Sequence, residues 1–309
     1  MVSDRFPRYV LVVLFAWNGA AILASAQAPR HPAFEQSYRQ SFEKWKADLV
    51  ADRKQNWLTL VGLFWLKPGE STFGSDTGNA VVLPGGTAPA HAGTFQRQGT
   101  DVTVSFLPGV TGLIGDQPVP AGKLDPDVSG HPTELELGRL RMHVIQRGNR
   151  VGIRVKDLRS PAVEKYPGPT FYPLSTTYRI TATWVPSDGR ETVQVPNVLG
   201  DVTTTPVVGE ARFTLAGREV RLHAVGGDAA RGLFIIFSDP TRKTDTYPAG
   251  RFLDTGAVSD GRLILDFNRA YNPPCSLTPY ATCPLPPREN QLTVEIPAGE
   301  KYDHSQMHP

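Results

Sequence analysis

The chain has 309 residues, a formal net charge of +2 and 40% hydrophobic residues. That apolar content supports a packed core and excludes a disordered chain. A near-neutral charge with no Lys/Arg run excludes the electrostatic footprint of a nucleic-acid or anionic-membrane binder, and the length fits two modest domains or one large β domain.

Residues 1–26 read as a cleavable signal peptide. Arg5 and Arg8 precede the apolar stretch Tyr9–Leu23, and Ala24-Ser25-Ala26 supplies the small-x-small site. The apolar stretch is shorter than the ~20 residues of a membrane span, and no cysteine follows it to carry a lipid anchor. No later segment is apolar for long enough to span a membrane. The expectation is a periplasmic or secreted mature chain that begins at Gln27. Losing Asp4, Arg5 and Arg8 takes +1 from +2 and leaves +1.

Residues 27–56 read as a linker followed by an amphipathic helix. Phe34, Tyr38, Phe42, Trp45 and Leu49 recur at spacings of four and three and form one apolar stripe. From Trp57 onward the apolar runs are short and β-branched, and Gly, Pro and Asp punctuate them every eight to twelve residues. Strands are expected at 58–66, 80–83, 101–106, 110–114, 135–137, 140–146 and 150–155. Beyond a Pro/Gly-rich stretch at 160–173 they are expected at 177–185, 191–198, 210–215, 218–225, 232–237, 262–267 and 291–296. This is an all-β pattern of sandwiches or barrels. The expected fold is two sandwich-like or barrel-like β parts, 57–157 and 158–301, behind one N-terminal helix, with a polar tail at 302–309 that carries His304 and His308.

No G-x-S-x-G, H-E-x-x-H, Walker or G-x-G-x-x-G signature is present, so neither a cofactor nor a metal is expected. His143 and His223 fall inside strand patterns and read as structural. Cys275 and Cys283 form an even pair in an exported chain, which favours a disulfide; free thiols and half of a metal site are the alternatives.

Leu66-Lys67-Pro68-Gly69-Glu70-Ser71-Thr72-Phe73-Gly74-Ser75, then Asn79–Pro84, Ala90–Gly93, Gly115–Val119 and Leu135–Gly138, resemble a forkhead-associated domain. The resemblance implies a β-sandwich over 57–157. It does not imply phosphothreonine binding: Ser75, Ala88, and Gly115 or Asp116 stand where that family places its phosphate donors, and a phosphate dianion needs charge-assisted donors.

The segment Leu265-Asp266-Phe267-Asn268-Arg269-Ala270-Tyr271-Asn272-Pro273-Pro274-Cys275, with Thr278–Pro287 and Glu289-Asn290, resembles the signature of the bacterial and archaeal family called domain of unknown function 1684. Trp57–Leu66, Ile153–Asp157, Thr246–Phe252 and Ala298–Lys301 fit the same family. The family has no activity to carry over, so the residues must be read physically. Prolines stiffen the loop after strand 262–267 and leave carbonyls unpaired. The loop is then either a self-satisfied plug or the rim of a pocket. The binding candidates are Arg154, Arg251, Asn268, Tyr271, Asn272, Tyr280 and Asn290. Two functions follow. One is a non-enzymatic extracytoplasmic binding or envelope accessory protein, whose partner is a small molecule or an envelope component. The other is a hydrolase using Asp266 and Glu289 as a carboxylate pair, with Arg154 or Arg251 orienting an anionic substrate.

Overall fold

A computed structural model describes residues 32–303. The signal peptide, Gln27, most of the linker, His304 and His308 lie outside the described residues. The chain divides after Gln40 into two compact units. In the first, Phe34 stacks on Tyr38 with ring centroids 6.2 Å apart. Helix α1 (Pro32–Asp52) crosses the division and closes in one wide π-type turn, Arg53–Trp57. In the second unit its stripe meets an edge of the β structure, where Phe42 and Trp45 pack on Phe171 at 5.5 and 5.7 Å.

The chain then builds a two-sheet sandwich. One sheet holds β1 (Leu60–Trp65), β6 (Gly112–Ile114), β7 (Gln117–Val119), β9 (Leu135–Leu137), β10 (Leu140–Arg147) and β11 (Arg150–Asp157), in the order β1-β11-β10-β9-β6-β7. The other holds β2 (Gly69–Gly74), β3 (Val81–Val82), β4 (Gly93–Gln98), β5 (Asp101–Phe106) and β8 (Ala121–Leu124), in the order β3-β2-β4-β5-β8. Alternate residues of the two sheets meet in one core: Phe73, Phe95, Val102 and Val104 face Leu140, Met142, Val144, Ile153 and Val155. β10 and β11 turn on Gly148-Asn149, where Gly148 has φ +55°, a conformation that glycine adopts without strain.

After a short helix, α2 (Pro161–Lys165), the second β region begins. β12 (Arg179–Pro186), β15 (Gly209–Leu215), β16 (Arg218–Ala224) and β20 (Arg262–Asp266) form a sheet in the order β16-β15-β12-β20. β17 (Gly226–Asp228), β18 (Gly232–Phe237) and β19 (Arg251–Asp254) form a second sheet, and β13 (Thr192–Pro196) pairs with β14 (Val202–Pro206). β18 is apolar on both faces. Leu233, Ile235 and Phe237 enter the main core with Leu222, Leu263, Leu265 and Phe267. Ile236 and Phe234 instead join Val193, Val195, Phe252 and Ala281.

The architecture is all-β behind one N-terminal helix, as the punctuation implied. The expected strand 291–296 does not form; only Gln291 makes a bridge, to Ser238. Side chains satisfy that backbone instead. The Asp239 carboxylate accepts the Ile296 N–H at 2.8 Å, and Arg251 donates to the carbonyls of Ile296 and Ala298.

Two buried ion pairs tie the second region together. Arg251 meets Asp239 at 2.7 Å. Arg53 grips both oxygens of Glu300 at 2.7 and 2.6 Å and also donates to the Tyr166 hydroxyl and the Asn272 carbonyl. Burial works against the Arg53 charge, but the hydrogen bonds and charge of Glu300, together with Tyr166, more than offset it, and the pKa of the guanidinium is raised. Gly299 makes the approach possible: at φ +82° it lies so close to the Phe267 and Ala270 carbonyls that a Cβ would sit 2.7 Å from each.

Glu300→Gln keeps the shape but leaves the Arg53 charge buried without its counter-charge. We expect a loss of ~3–5 kcal/mol, or roughly ten degrees in melting temperature. The double variant Arg53→Met/Glu300→Leu should recover part of it. Scanning calorimetry measures both, and a Glu300→Gln transition superimposed on wild type would remove the pair from its structural role.

Candidate functional site

The β10–β11 hairpin is amphipathic. Met142, Val144, Val151, Ile153 and Val155 fill the sandwich, so His143, Arg147, Arg154 and Lys156 project from the opposite face. His143 lies across from Arg154, and Arg147 across from Arg150. The proline-rich loop after β20 packs on this face. Its Thr282 hydroxyl accepts from Arg147 Nε at 3.0 Å and from Arg154 Nη2 at 3.3 Å, so two guanidinium groups converge on one oxygen.

The two arginines differ in their compensation. Arg147 pairs with Asp127 at 2.7 Å. Among the described residues Arg154 meets no carboxylate within ion-pair distance, and its Nε is buried without a partner. Burial first, and then the neighbouring Arg147 charge, pull the Arg154 pKa down. A partly buried cation in this position favours an anion beside it.

A cavity of about 330 Å³ opens against this pair, at the small end of the ~300–1,000 Å³ typical of ligand pockets. Its walls are mostly apolar, with Trp57, Phe234, Phe252, Tyr271, Leu277 and Ala281 opposite Arg147, Arg154 and Thr282. Each wall is fixed from behind. Asp52 accepts the Trp57 indole N–H at 2.8 Å, Phe252 packs edge-on against both Phe234 and Tyr271, and the Tyr271 hydroxyl donates to Asp254 at 2.7 Å. Asn272 is held through its Nδ2, which donates to the Lys301 carbonyl at 2.9 Å, while its Oδ1 is buried without a partner.

Of the binding and catalytic candidates read from the sequence, Arg154, Tyr271 and Asn272 line this cavity, as does Cys283 of the cysteine pair. The others are placed elsewhere. Arg251 is buried in its pair with Asp239. The Asn268 side chain clamps the Ser175 backbone through both of its polar atoms. Asn290 pins β16 to β18 through the His223 and Ile236 backbone. Tyr280 donates its backbone N–H to Thr278 and does not line the cavity. Asp266 pairs with Arg269 at 3.4 Å and accepts from Asn268, while Glu289 stands exposed on the single turn Arg288–Asn290. Neither carboxylate lines the cavity.

Arg147, Thr282, Phe234 and Leu277 were not anticipated. Arg147 carries a readable signal: it shares the strand parity of His143 and lies across a two-residue turn from the strand that holds Arg154.

The expected disulfide requires correction. Cys275 and Cys283 are two free thiols. The Cys275 N–H donates to the Cys283 sulfur at 3.1 Å, and the two side chains share a hydrogen bond that lowers the Cys275 pKa and raises that of Cys283. The loop does not need a covalent lock, because the prolines and the Tyr247 hydroxyl on the Cys275 carbonyl already hold it.

These features define an all-β protein with a small apolar cavity headed by an uncompensated arginine. Residues 164–301 match the sequence model of the family described as Protein of unknown function (DUF1684). Trp57–Leu66 and Ile153–Asp157 lie outside that match. The solution structure of an uncharacterized protein from Haloarcula marismortui is similar at 31% identity and a TM-score of 0.39, over 46% of this chain and 80% of that one. The FHA domain of FhaA, crystallised with the intracellular domain of Rv3910, is 14% identical over 30% of this chain and 97% of its own, with a TM-score of 0.22. An FHA domain from work on phosphothreonine-dependent interactions is 16% identical over 32% of this chain and 96% of its own, also at 0.22. Overlaps this slight carry no argument about this chain. No curated protein matches it.

His143 reports on this charged face. Burial, and then Arg154, lower its pKa from 6.5 to about 4; Lys156 and Arg147 add to the shift and Asp127 opposes it. The unfolded chain therefore takes up this proton first. Stability is complete above about pH 6.5 and falls as the pH drops toward 4. His143→Gln should flatten that acid limb. Melting temperatures of the two proteins between those pH values test it, and parallel profiles would show that His143 does not contribute.

Proposed function

We propose that this is a non-enzymatic extracytoplasmic binding protein whose ligand joins an anionic group to an apolar body. Arg154 carries the reading: it is a partly buried cation with no carboxylate within ion-pair distance among the described residues, at the head of a cavity walled mostly by aromatic and aliphatic side chains. A ligand anion would supply the missing counter-charge, while its apolar part gains ~25 cal/mol per Å² of surface removed from water. Hydrolysis by Asp266 and Glu289 finds no support, since neither carboxylate reaches the cavity.

Calorimetric titration with decanoate and with decyl methyl phosphate tests the reading. At least one should bind, and Arg154→Met should weaken it roughly ten- to a hundredfold, the worth of a charge-assisted hydrogen bond. The same substitution should leave the melting temperature of the free protein unchanged or raised, because it removes an uncompensated charge. Binding of neither amphiphile, or equal binding to Arg154→Met, would overturn the proposal.

The extracytoplasmic location rests on residues 1–26, whose charge, apolar core and Ala24-Ser25-Ala26 site have the form of a signal peptide. Intact-mass spectrometry of protein from an exporting host should find Gln27 first, and a chain that retains Tyr9–Leu23 would contradict it.

A further inference from the structure

The Arg147 side chain lines a second cavity of different character. That cavity is about 390 Å³ and lies between the β10–β11 turn and the β13–β14 hairpin. Asn149, Arg150, Asn197, Asp201 and Thr203 line it, where aromatic and aliphatic groups line the first. Arg147 is the residue common to both. An apolar chamber and a polar chamber therefore adjoin at Arg147, beside Arg154.

Charge decides what sits at that junction. Arg147 has Asp127, and Arg150 has Asp201 at 3.3 Å. Among these three arginines and two aspartates Arg154 is the one left without an ion-pair partner, while the Asp52 carboxylate in the first cavity's wall is taken up by the Asn56 amide and the Trp57 indole. A ligand that crosses the junction must carry a group with substituents on both sides and still bear one negative charge. A carboxylate is terminal, and esterifying it removes its charge. A phosphodiester is substituted on both sides and keeps a single charge. The polar chamber is already neutral through Arg150–Asp201, so it suits an uncharged group rich in hydroxyls, which can donate to Asp201 and accept from Asn149 and Arg150.

We propose that the ligand is a phosphodiester amphiphile, with an apolar chain in the first chamber, its phosphate between Arg147 and Arg154, and a neutral polyhydroxy head in the second. This rests on the anion reading above and adds the class of ligand.

Decanoyl lysophosphatidylglycerol and glucosyl geranyl phosphate carry all three parts, with an acyl and an isoprenoid chain respectively. Decyl methyl phosphate has the chain and the charge without the head, and decyl glucoside has the chain and a head without the charge. We expect at least one complete diester to bind roughly tenfold tighter than decyl methyl phosphate, the increment of two or three added hydrogen bonds, and decyl glucoside to bind more weakly than either. The tighter of the two diesters identifies the chain. Thr203→Trp, on the exposed side of β14, should fill the polar chamber and abolish the difference between the diesters and decyl methyl phosphate. Asn149→Trp should do the same from the opposite wall. If decyl methyl phosphate binds but neither head improves on it, or if the improvement survives both tryptophans, the two-chamber proposal is wrong and the anion reading stands. If no phosphate binds to the wild-type protein, the two-chamber proposal falls, and the anion reading falls with it only if decanoate does not bind either.

Discussion

The Arg53–Glu300 pair holds segments that are far apart in the chain. Arg53 sits on the wide turn that ends α1, and Glu300 near the C-terminus, and the pair closes around the Asn272 backbone, whose N–H reaches Glu300 and whose carbonyl reaches Arg53. The same turn presents Trp57 to the cavity, and the same loop presents Tyr271. A bidentate guanidinium–carboxylate contact fixes orientation as well as distance. The apolar wall of the cavity is thus referenced to one buried ion pair. The four residues Ala298–Lys301 all serve this junction: Ala298 offers its carbonyl to Arg251, Gly299 permits the close approach, Glu300 takes Arg53, and Lys301 reaches Asp245 at 3.1 Å.

Arg53 and Arg251 are buried and Arg154 is half-buried, and the molecule treats them differently. Arg53 and Arg251 each have a carboxylate and several carbonyls. Arg154 has one threonine hydroxyl, shared with Arg147. A charge left this way costs stability, and such costs are retained where a site needs them. The contrast within one chain is what separates the cavity from an ordinary packing defect, because the fold demonstrably has the means to neutralise a buried guanidinium.

Much of the fold was legible in the sequence. The hairpin 140–155 reads directly, because Met142, Val144, Val151, Ile153 and Val155 alternate with polar residues around Gly148. Strands such as β2 and β4 were not legible, since Gly69-Glu70-Ser71-Thr72-Phe73-Gly74 and Gly93-Thr94-Phe95-Gln96-Arg97-Gln98 bury few side chains and carry glycine where turns are usually marked. At 291–296 the error ran the other way: Leu292, Val294 and Ile296 have strand texture, but the Ile296 backbone is claimed by Asp239 and Arg251, a tertiary effect without a local trace. The site was half legible. Tyr271 and Asn272 belong to a dense polar signature, and Arg154 interrupts an apolar strand. Asn268 and Asn290 look the same in sequence yet serve the backbone, and only their partners reveal it. The cysteine pair misled because compartment and parity say nothing about sulfur geometry.

Two of the cationic groups of the cavity, Arg147 and Arg154, come from the hairpin at 140–157 and the third, Arg53, from the turn after α1, while most of its apolar wall comes from 234–284. A fragment spanning only residues 164–301 would keep Phe234, Phe252, Tyr271 and Leu277 and lose every guanidinium at the cavity. Neither stretch alone holds a complete recognition surface, so occupancy is a coincidence detector for the docking of the hairpin against the proline-rich loop. A molecule lodged there bridges the seam like a dowel, and anything that pries the seam open must first expel it.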